Sequence, residues 1–477
     1  MRARRLSDLV DLMQPAAVEL VGDDQVVGPD VVLDNRSATA GCLFAAIPGQ
    51  RVDGHAFAVA AAEQGAAAVL GNYVTEAGIP HLLVADTVAG LSYLARGVVR
   101  EARANGLLSL GITGSSGKTT TKDLLAQILE QLGETVAPLG SQNNEIGVPI
   151  TACRVSDGTR FLVSEMGSRG KGHIAWLTSL VGLDVGVVLN VGVAHVGEFG
   201  GVSQIAAAKA EIVADLAPDG WAVLNGDDPA CREMRQATAA RVAWFGEGEF
   251  PPGDLHVRAI EVSGNALAQH AFTLQITRGV TVETHPVRLQ AIGRHQVSNA
   301  LAAATAALTV GLDPAEVATA LSAAQPRSSW RMELVQGTQD RVIINDAYNA
   351  NPDSMAAALH TLAHMRQAQH DAHSQARAIA VVGDMLELGP EARQRHAELG
   401  ALAGQLGIDE VVAVGEYAAT VVAAAAQTGV AARSATREEA ATIELDPGDV
   451  LLVKGSRGIG LELVAEAVAD RSKGEPQ

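Results

Sequence analysis

Aromatic residues are nearly missing from this 477-residue chain: they make up 3% of it, against 48% hydrophobic residues in all. Its cores must be built from Ala, Val and Leu, which favours close helix-on-sheet layers. Cysteine is also scarce. Cys42, Cys153 and Cys231 are odd in number, far apart and without a CxxC pair, which argues for a reducing compartment and against thiolate metal sites. Positive charge is in deficit. The formal net charge is −19 and no basic patch is visible, so nucleic acid and anionic membranes are poor partners. Anionic substrates must be met by a few local cations. Long apolar runs are lacking: the stretches 301–312 and 418–426 fall short of the ~20 residues a bilayer helix needs. Asp8 and Asp11 interrupt any signal core behind Arg2, Arg4 and Arg5. These absences point to a cytoplasmic protein with no membrane insertion and no nucleic-acid partner; a monomer is the expectation for its assembly.

Lysine is the last shortage. Of 35 basic residues only six are lysines, at 118, 122, 171, 209, 454 and 473. A chain that uses arginine so heavily keeps lysine where a compact ammonium or a nucleophilic amine is wanted. Lys118, Lys209 and Lys454 are the candidates; codon bias accounts equally well for Lys122 and Lys473.

What the chain does have is a glycine-rich turn between a strand and a helix. Residues 111–120 read Gly-Ile-Thr-Gly-Ser-Ser-Gly-Lys-Thr-Thr. An apolar run at 107–112 precedes them, and Leu124, Leu125, Ile128, Leu129 and Leu132 follow at the spacing of one helix face. Such a turn offers backbone N–H groups to an anion at the positive end of the helix dipole. Lys118 can reach terminal phosphates and the Thr119 hydroxyl can ligate Mg²⁺. The strict motif wants glycine at 112; Ile112 stands there and Gly111 falls one place early.

The length predicts about three domains, and three alternating α/β segments are legible: 1–106, 107–325 and 326–477. The third carries strand-like runs at 342–345, 378–383, 411–414 and 450–454, alternating with helical stretches as in a doubly wound sheet. Residues 246–290 read as irregular and strand-rich. In the central segment Glu165 follows the strand-like run 160–164, and His195 lies in the loop after the run 184–190. Ligands of open parallel sheets sit beyond the carboxyl ends of strands, so both could converge on the phosphate loop. Glu165 reads as a hard metal ligand or as a capping or ion-pair residue. His195 taken alone reads as a loop hydrogen bonder.

The chain resembles the ATP-dependent Mur amide ligases over nearly its whole length. The segments that carry the likeness are TGSSGKTT at 113–120, NNEIGVP at 143–149, EMG at 165–167, NVGVAH at 190–195, AKAE at 208–211 and GRHQVSN at 293–299. DAYNANPDS at 346–354, GDMLELG at 383–389 and KGSR at 454–457 complete the series. The AYNANPDSM and GDMLELG segments are similar to the branch that adds D-alanyl-D-alanine to UDP-MurNAc-tripeptide. The DNPR segment of diaminopimelate-adding relatives is missing. The fold implied is α/β: a small uridine-nucleotide domain, a central phosphate-loop mononucleotide-binding domain, and a C-terminal Rossmann-like domain closing over ATP and dipeptide. The chemistry implied is phosphorylation of the tripeptide carboxylate by ATP, followed by attack of the dipeptide amine on the acyl phosphate.

The resemblance also implies roles for individual residues. Lys118, Glu165, His195 and Lys209 would be catalytic. Thr119, Glu165, His195 and Lys209, the last as a carbamate, would hold Mg²⁺. Thr113, Gly114, Ser115, Ser116, Gly117, Lys118, Thr119 and Thr120 would cradle the ATP phosphates. His295 and Asn299 would lie on the adenine side, with Arg331, Asp346 and Asn349 reaching ATP from the third domain. Arg36, Ser37 and His55 would bind the uridine diphosphate. Asn143, Asn144, Ser168 and Arg169 would face the muramoyl peptide, and Tyr348, Asn351 and Lys454 the peptide ends. One departure is plain: the family usually has glycine before this arginine, and this chain has Trp330. A hinge is expected near 326–330. A different ligase of the superfamily, such as an E-type or folylpolyglutamate-type enzyme, a phosphate-loop switch or motor, and a non-catalytic scaffold are the competing readings.

Overall fold

The computed structural model describes residues 1–49, 51–192, 201–335, 341–370 and 373–474. Strands β1 (Glu19–Val21), β2 (Val31–Val32), β3 (Leu43–Ala45), β4 (Ala68–Gly71) and β5 (His81–Leu83) form a five-stranded sheet in the order β1-β5-β4-β3-β2. All its pairs are parallel except β1 with β5. Helix α1 (Thr87–Ala104) follows, capped by Asp86, whose carboxylate accepts from the Ala89 N–H at 2.9 Å. Leu91, Leu94, Ala95, Val98, Val99 and Ala102 make its buried stripe. The stripe packs against the short helices Gly147–Ala152 and His173–Val181 of the next sheet layer. Near its end Arg103 forms a two-pronged ion pair with Asp184 at 2.6 and 2.8 Å, and Asp184 also accepts from the Ser109 N–H at 2.8 Å. The first domain is thereby pinned to the start of the central sheet.

That sheet has nine strands: β6 (Leu108–Thr113), β7 (Thr135–Val136), β8 (Phe161–Glu165), β9 (Val185–Val188), β10 (Trp221–Asn225), β11 (Arg241–Gly246), β12 (Leu255–Gly264), β13 (Gln269–Arg278) and β14 (Thr281–Ile292). Their order is β14-β13-β12-β11-β10-β9-β6-β8-β7. From β7 to β12 the pairs are parallel. The chain leaves β6 to one side for β7 and β8 and returns to its other side for β9, so β6 sits where the winding reverses. Such a switch point opens a crevice beyond the strand ends. Helix α2 (Lys118–Leu129) starts there, and its Leu124, Leu125, Ile128 and Leu129 are buried against the sheet; Leu132 lies just past its end. The stretch read as irregular, 246–290, is largely three long strands, with β12–β13 and β13–β14 antiparallel. Their alternate residues Val257, Ala259, Leu274, Ile276, Val287 and Leu289 are buried in the core shared with α4 (Gln296–Thr309) and α5 (Pro314–Ala323) (α3, Val202–Ala214, lies between β9 and β10 in the chain).

The third sheet comprises β15 (Glu333–Val335), β16 (Val342–Asp346), β17 (Ala378–Gly383), β18 (Glu410–Val414), β19 (Ala431–Ser434) and β20 (Val450–Lys454) in the order β15-β16-β20-β17-β18-β19. Only β15 runs antiparallel to its neighbour. Its helices include α6 (Pro352–His370) and α7 (Ala392–Gln405). The linker into this domain is fastened to α2 and to Glu130 just past its end. Gln127 and Gln325 exchange hydrogen bonds at 3.0 Å each, Arg327 grips Glu130 through two 2.6 Å bonds, and the Ser328 hydroxyl donates to Asp123 at 2.6 Å. Beyond this tether Trp330 and Met332 take left-handed backbone angles, φ +60° and +49°. The chain therefore changes direction at 329–332, at the far end of the stretch where a hinge was expected.

Among the described residues, no helix is long and apolar enough to cross a membrane.

Candidate active site

Parallel register places the side chains around the loop between β6 and α2. Glu165, the last residue of β8, pairs with Ile112 of β6, and Val188 of β9 pairs with Thr113. Glu165 and Asn190 therefore flank the loop from opposite sides. Gly117 has φ +81°, and a β-carbon there would lie 2.2 Å from the Asn299 Oδ1 of α4. Glycine is needed both for the turn and for the close approach. Asn299 is itself held by the Gln296 side chain at 2.8 Å.

Lys118 reaches back across the loop and donates to the Gly114 carbonyl at 2.7 Å. Burial pushes its ammonium below the ordinary lysine pKa, with Glu165 opposing that shift and Arg331 adding to it. Glu165 is 1% exposed and accepts three hydrogen bonds: from the Thr119 hydroxyl at 2.9 Å, the Ser141 hydroxyl at 2.7 Å and the Asn143 amide at 2.7 Å. A buried carboxylate beside the first helical hydroxyl is a hard-oxygen donor set, suited to a small divalent cation. Lys209, in α3, lines the same cavity. Burial first, and then the charge of Lys118, lower its pKa to about 7.

The cavity has a volume of about 730 Å³ and is walled by both the central and the third sheets. From the third domain Arg331 lies 4.1 Å over the Tyr348 ring. Lys454, at the end of β20, donates to Asp346 at 2.6 Å and to the Asn349 carbonyl at 2.9 Å. Asp346 also accepts from the Met332 N–H at 3.0 Å. The Asn351 amide reaches the Ser115 carbonyl of the phosphate loop at 3.5 Å. His295 is pushed down to a pKa of about 4, chiefly by burial, and so is a neutral imidazole at neutral pH.

Of the residues singled out from sequence, the cavity brings together Gly114–Thr120, Asn143, Asn144, Glu165, Ser168, Arg169, Lys209, His295, Asn299, Arg331, Asp346, Tyr348, Asn349, Asn351 and Lys454. Thr113 is buried at the end of β6, behind the loop. Asn144 caps the Gly147–Ala152 helix by accepting from the Gly147 N–H at 2.8 Å, and Arg169 pairs with Glu145 at 3.0 Å. His195 lies outside the described residues. Arg36, Ser37 and His55 are not among the described residues that line the cavity. Arg36 is exposed and pairs with Asp34 at 2.6 Å. His55 is buried, with one ring nitrogen 2.7 Å from Asp53 and the other accepting from the Asn72 N–H at 3.1 Å. Both nitrogens serve to fix loops of the first domain.

Trp330 stands directly before Arg331. It holds the left-handed angle a glycine would favour, at a cost of about 1 kcal/mol, and is braced on three sides. Its N–H donates to Glu333 at 2.7 Å, its carbonyl accepts from the Tyr348 N–H at 3.1 Å, and Arg457 lies 4.2 Å over its ring.

Two residues that matter to the loop were not identified from sequence. Ser141 anchors Glu165. Asn190 accepts from the Ser115 and Ser116 N–H groups at 2.9 and 3.0 Å, holding the loop open from beneath. Asn190 begins the quoted segment 190–195, but nothing local to it says where its amide points. We expect Asn190→Ala to raise the KM for ATP about 10- to 100-fold, as loss of two backbone-positioning bonds would, with little change in melting temperature. Steady-state kinetics with ATP varied will check this.

Comparison with known proteins gives a consistent answer. Residues 112–307 match the profile of the Mur ligase middle domain, 330–457 that of the Mur ligase glutamate ligase domain, and 31–99 that of the Mur ligase family catalytic domain. The UDP-N-acetylmuramoyl-tripeptide–D-alanyl-D-alanine ligase of Mycobacterium tuberculosis is 40% identical, with 93% of each chain covered. The enzyme of the same name from Escherichia coli is 34% identical over 98% of both. Among solved structures, MurF from Acinetobacter baumannii superposes with a TM-score of 0.83 at 29% identity, covering 98% of this chain and 99% of the other. MurF from Thermotoga maritima in complex with ADP gives 0.73 at 26%, covering 93% and 97%.

Proposed function

The chain belongs to the Mur ligase family, and from that premise we propose that it joins D-alanyl-D-alanine to UDP-N-acetylmuramoyl-tripeptide at the expense of ATP, through an acyl phosphate. The observation that carries this reading is the single cavity in which Lys118, Glu165 and Lys209 of the central domain face Arg331, Asp346, Tyr348 and Lys454 of the third. A carboxylate is a poor electrophile, and phosphorylation supplies the leaving group that an amine can displace. Transfer of phosphate between two anions needs alignment and positive charge more than covalent protein chemistry. Lys118 would meet the terminal phosphates, and the N–H groups of the first turn of α2, which have no partner within the helix, would hold them. Arg331, 4.1 Å over the Tyr348 ring, would add a second cation from the opposite side. His295 and Asn299, at the start of α4, would flank the adenine.

Thr119 and Glu165 would hold one Mg²⁺, and Lys209, carbamylated, together with His195 would hold a second; the ions would screen the charge on the phosphates and the acyl phosphate. A lysine with a pKa near 7 is suited to carbamylation, because the neutral amine is the form that adds CO₂. We assign residues 1–106 to the uridine nucleotide, with Arg36, Ser37 and His55 in its loops, 107–325 to ATP and 326–477 to closure over ATP and dipeptide. Asn143, Asn144, Ser168 and Arg169 would face the muramoyl peptide, and Tyr348, Asn351 and Lys454 the reacting ends. The enzyme is taken to act as a cytoplasmic monomer. Closure would exclude water from an acyl phosphate that hydrolyses readily.

The decisive experiment is product analysis. Purified protein with ATP and Mg²⁺ is given each candidate UDP-muramoyl peptide, with and without D-alanyl-D-alanine. We expect ADP release to require both substrates and a product heavier by the dipeptide. Acceleration by a single amino acid in place of the dipeptide would move the chain to another branch of the family. Turnover of ATP that ignores every muramoyl peptide would remove the ligase reading altogether.

A further inference from the structure

Lys122 is 2% exposed, yet the ligase reading gives it no role. It lies in α2 one turn beyond Lys118. An ammonium taken out of water must find partners, and this one has two. It donates to the carboxylate of its neighbour Asp123 and, at 2.9 Å, to the Pro138 carbonyl. Each partner leads away from the helix to a different wall of the cavity.

Pro138 stands just after β7, and from it the chain runs on to Ser141 and Asn143. Those two side chains donate to one oxygen of Glu165, both at 2.7 Å. Lys122 thus pins the start of the loop that holds Glu165.

Asp123 leads the other way. One of its oxygens faces Lys122, and the other accepts from the Ser328 hydroxyl at 2.6 Å. Beyond Ser328 the chain is fastened to the third domain instead. The Trp330 N–H donates to Glu333, the Trp330 carbonyl accepts from the Tyr348 N–H, and the Met332 N–H donates to Asp346. Only Ser329 lies between the anchor on α2 and the anchors on the third domain. Arg331 follows at once. Its buried Nε has no hydrogen-bond partner among the described residues, so its place depends on the Tyr348 ring and on the backbone that carries it. Asp123, Ser328 and Arg331 line one small space of about 20 Å³, and Arg331 also lines the main cavity.

We infer that Lys122 and Asp123 are a positioning pair for the ATP site. The pair sets the phosphate-loop helix against Glu165 through the Pro138 loop, and against Arg331 through Ser328. This rests on the nucleotide half of the ligase reading and adds to it two residues that touch no substrate. A buried ion pair is seldom more stable than apolar residues of the same volume. Stability alone would therefore be served as well by a leucine and a methionine; the polar connections would not.

The test is direct titration of the full chain with ATP and Mg²⁺. Ser328→Ala is expected to raise the Kd for ATP about tenfold, the worth of one hydrogen bond to a charged group. Ser328→Thr keeps the hydroxyl and should bind within about threefold of the wild type. In an Arg331→Ala background, Ser328→Ala should cost less than about twofold, because the tether has nothing left to position. Lys122→Met/Asp123→Leu should melt within about 5 °C of the wild type but bind ATP about tenfold more weakly or worse. Losses from Ser328→Ala and Arg331→Ala that simply multiply would overturn the assignment. So would wild-type ATP affinity in a folded Lys122→Met/Asp123→Leu. Should that double variant not fold, the Ser328–Arg331 cycle decides alone. A wild type that binds ATP but joins no dipeptide would sink the ligase reading, while the titrations would still decide on the pair.

Discussion

Lys209→Ala is expected to lose amide synthesis by about 10²–10³-fold or more, the scale seen when a preorganised charge is taken from a phosphoryl-transfer site. Small carboxylic acids such as acetate or formate should restore part of the loss, since they supply the oxygens that the carbamate would have carried. The physical basis is the depressed pKa of about 7, caused by burial and the nearby Lys118 charge. At pH 7 about half the amine is then neutral, against roughly one part in 3,000 for an ordinary lysine of pKa 10.5. Only the neutral form adds CO₂. Activity that depends on the carbamate should therefore fall as pH drops below 7, and bicarbonate should slow that fall. The stability contribution has the same direction. The unfolded lysine holds its proton more tightly, so this group removes stability as pH falls from about 10.5 toward 7. Full activity in Lys209→Ala, or loss with no rescue by any small acid, would refute the ligand role.

Local features of the chain were the legible ones. The turn between β6 and α2 announces itself because glycines, lysine and threonine are contiguous and flanked by apolar runs of two periodicities. Glu165 could be placed at the mouth because a short apolar run ends immediately before it. The antiparallel strands β12–β14 were harder to read. Their period-two pattern is real but broken by irregularities at Ile260/Ser263 and Gln269/Ala271, and outward positions carry His256, Arg258 and Thr273. A sequence window crossing a bulge sees both faces at once.

The grouping of side chains was legible only where a family likeness supplied it. Asn190 and Ser141 lie in segments whose chemistry looks ordinary. Their importance comes from what lies opposite: a pair of loop N–H groups and a buried carboxylate. Such partners are set by tertiary packing and leave no local periodicity. Trp330 shows the converse. It stands where the resemblance leads one to expect glycine, yet its backbone keeps the left-handed angle because Glu333, Tyr348 and Arg457 together hold it.

Lys118→Met should separate function from stability most sharply. The thioether chain fills nearly the same volume and removes the charge. Amide synthesis and ADP release should fall by about 10³-fold or more, because no other ammonium reaches the phosphates from the loop. The melting temperature should hold or rise. An ammonium taken out of water, compensated by the Gly114 carbonyl and the field of Glu165, is a cost that folding bears for the reaction. Unfolding of Lys118→Met under conditions where the wild type is stable would mean that the amine is a structural strut. The same variant bears on Lys209, since the Lys118 charge is the second cause of its low pKa. With ¹³C-bicarbonate, the pH midpoint of the carbamate carbon signal should move upward in Lys118→Met. An unmoved midpoint would show that burial alone sets the Lys209 amine, and that the two lysines do not act as a coupled pair.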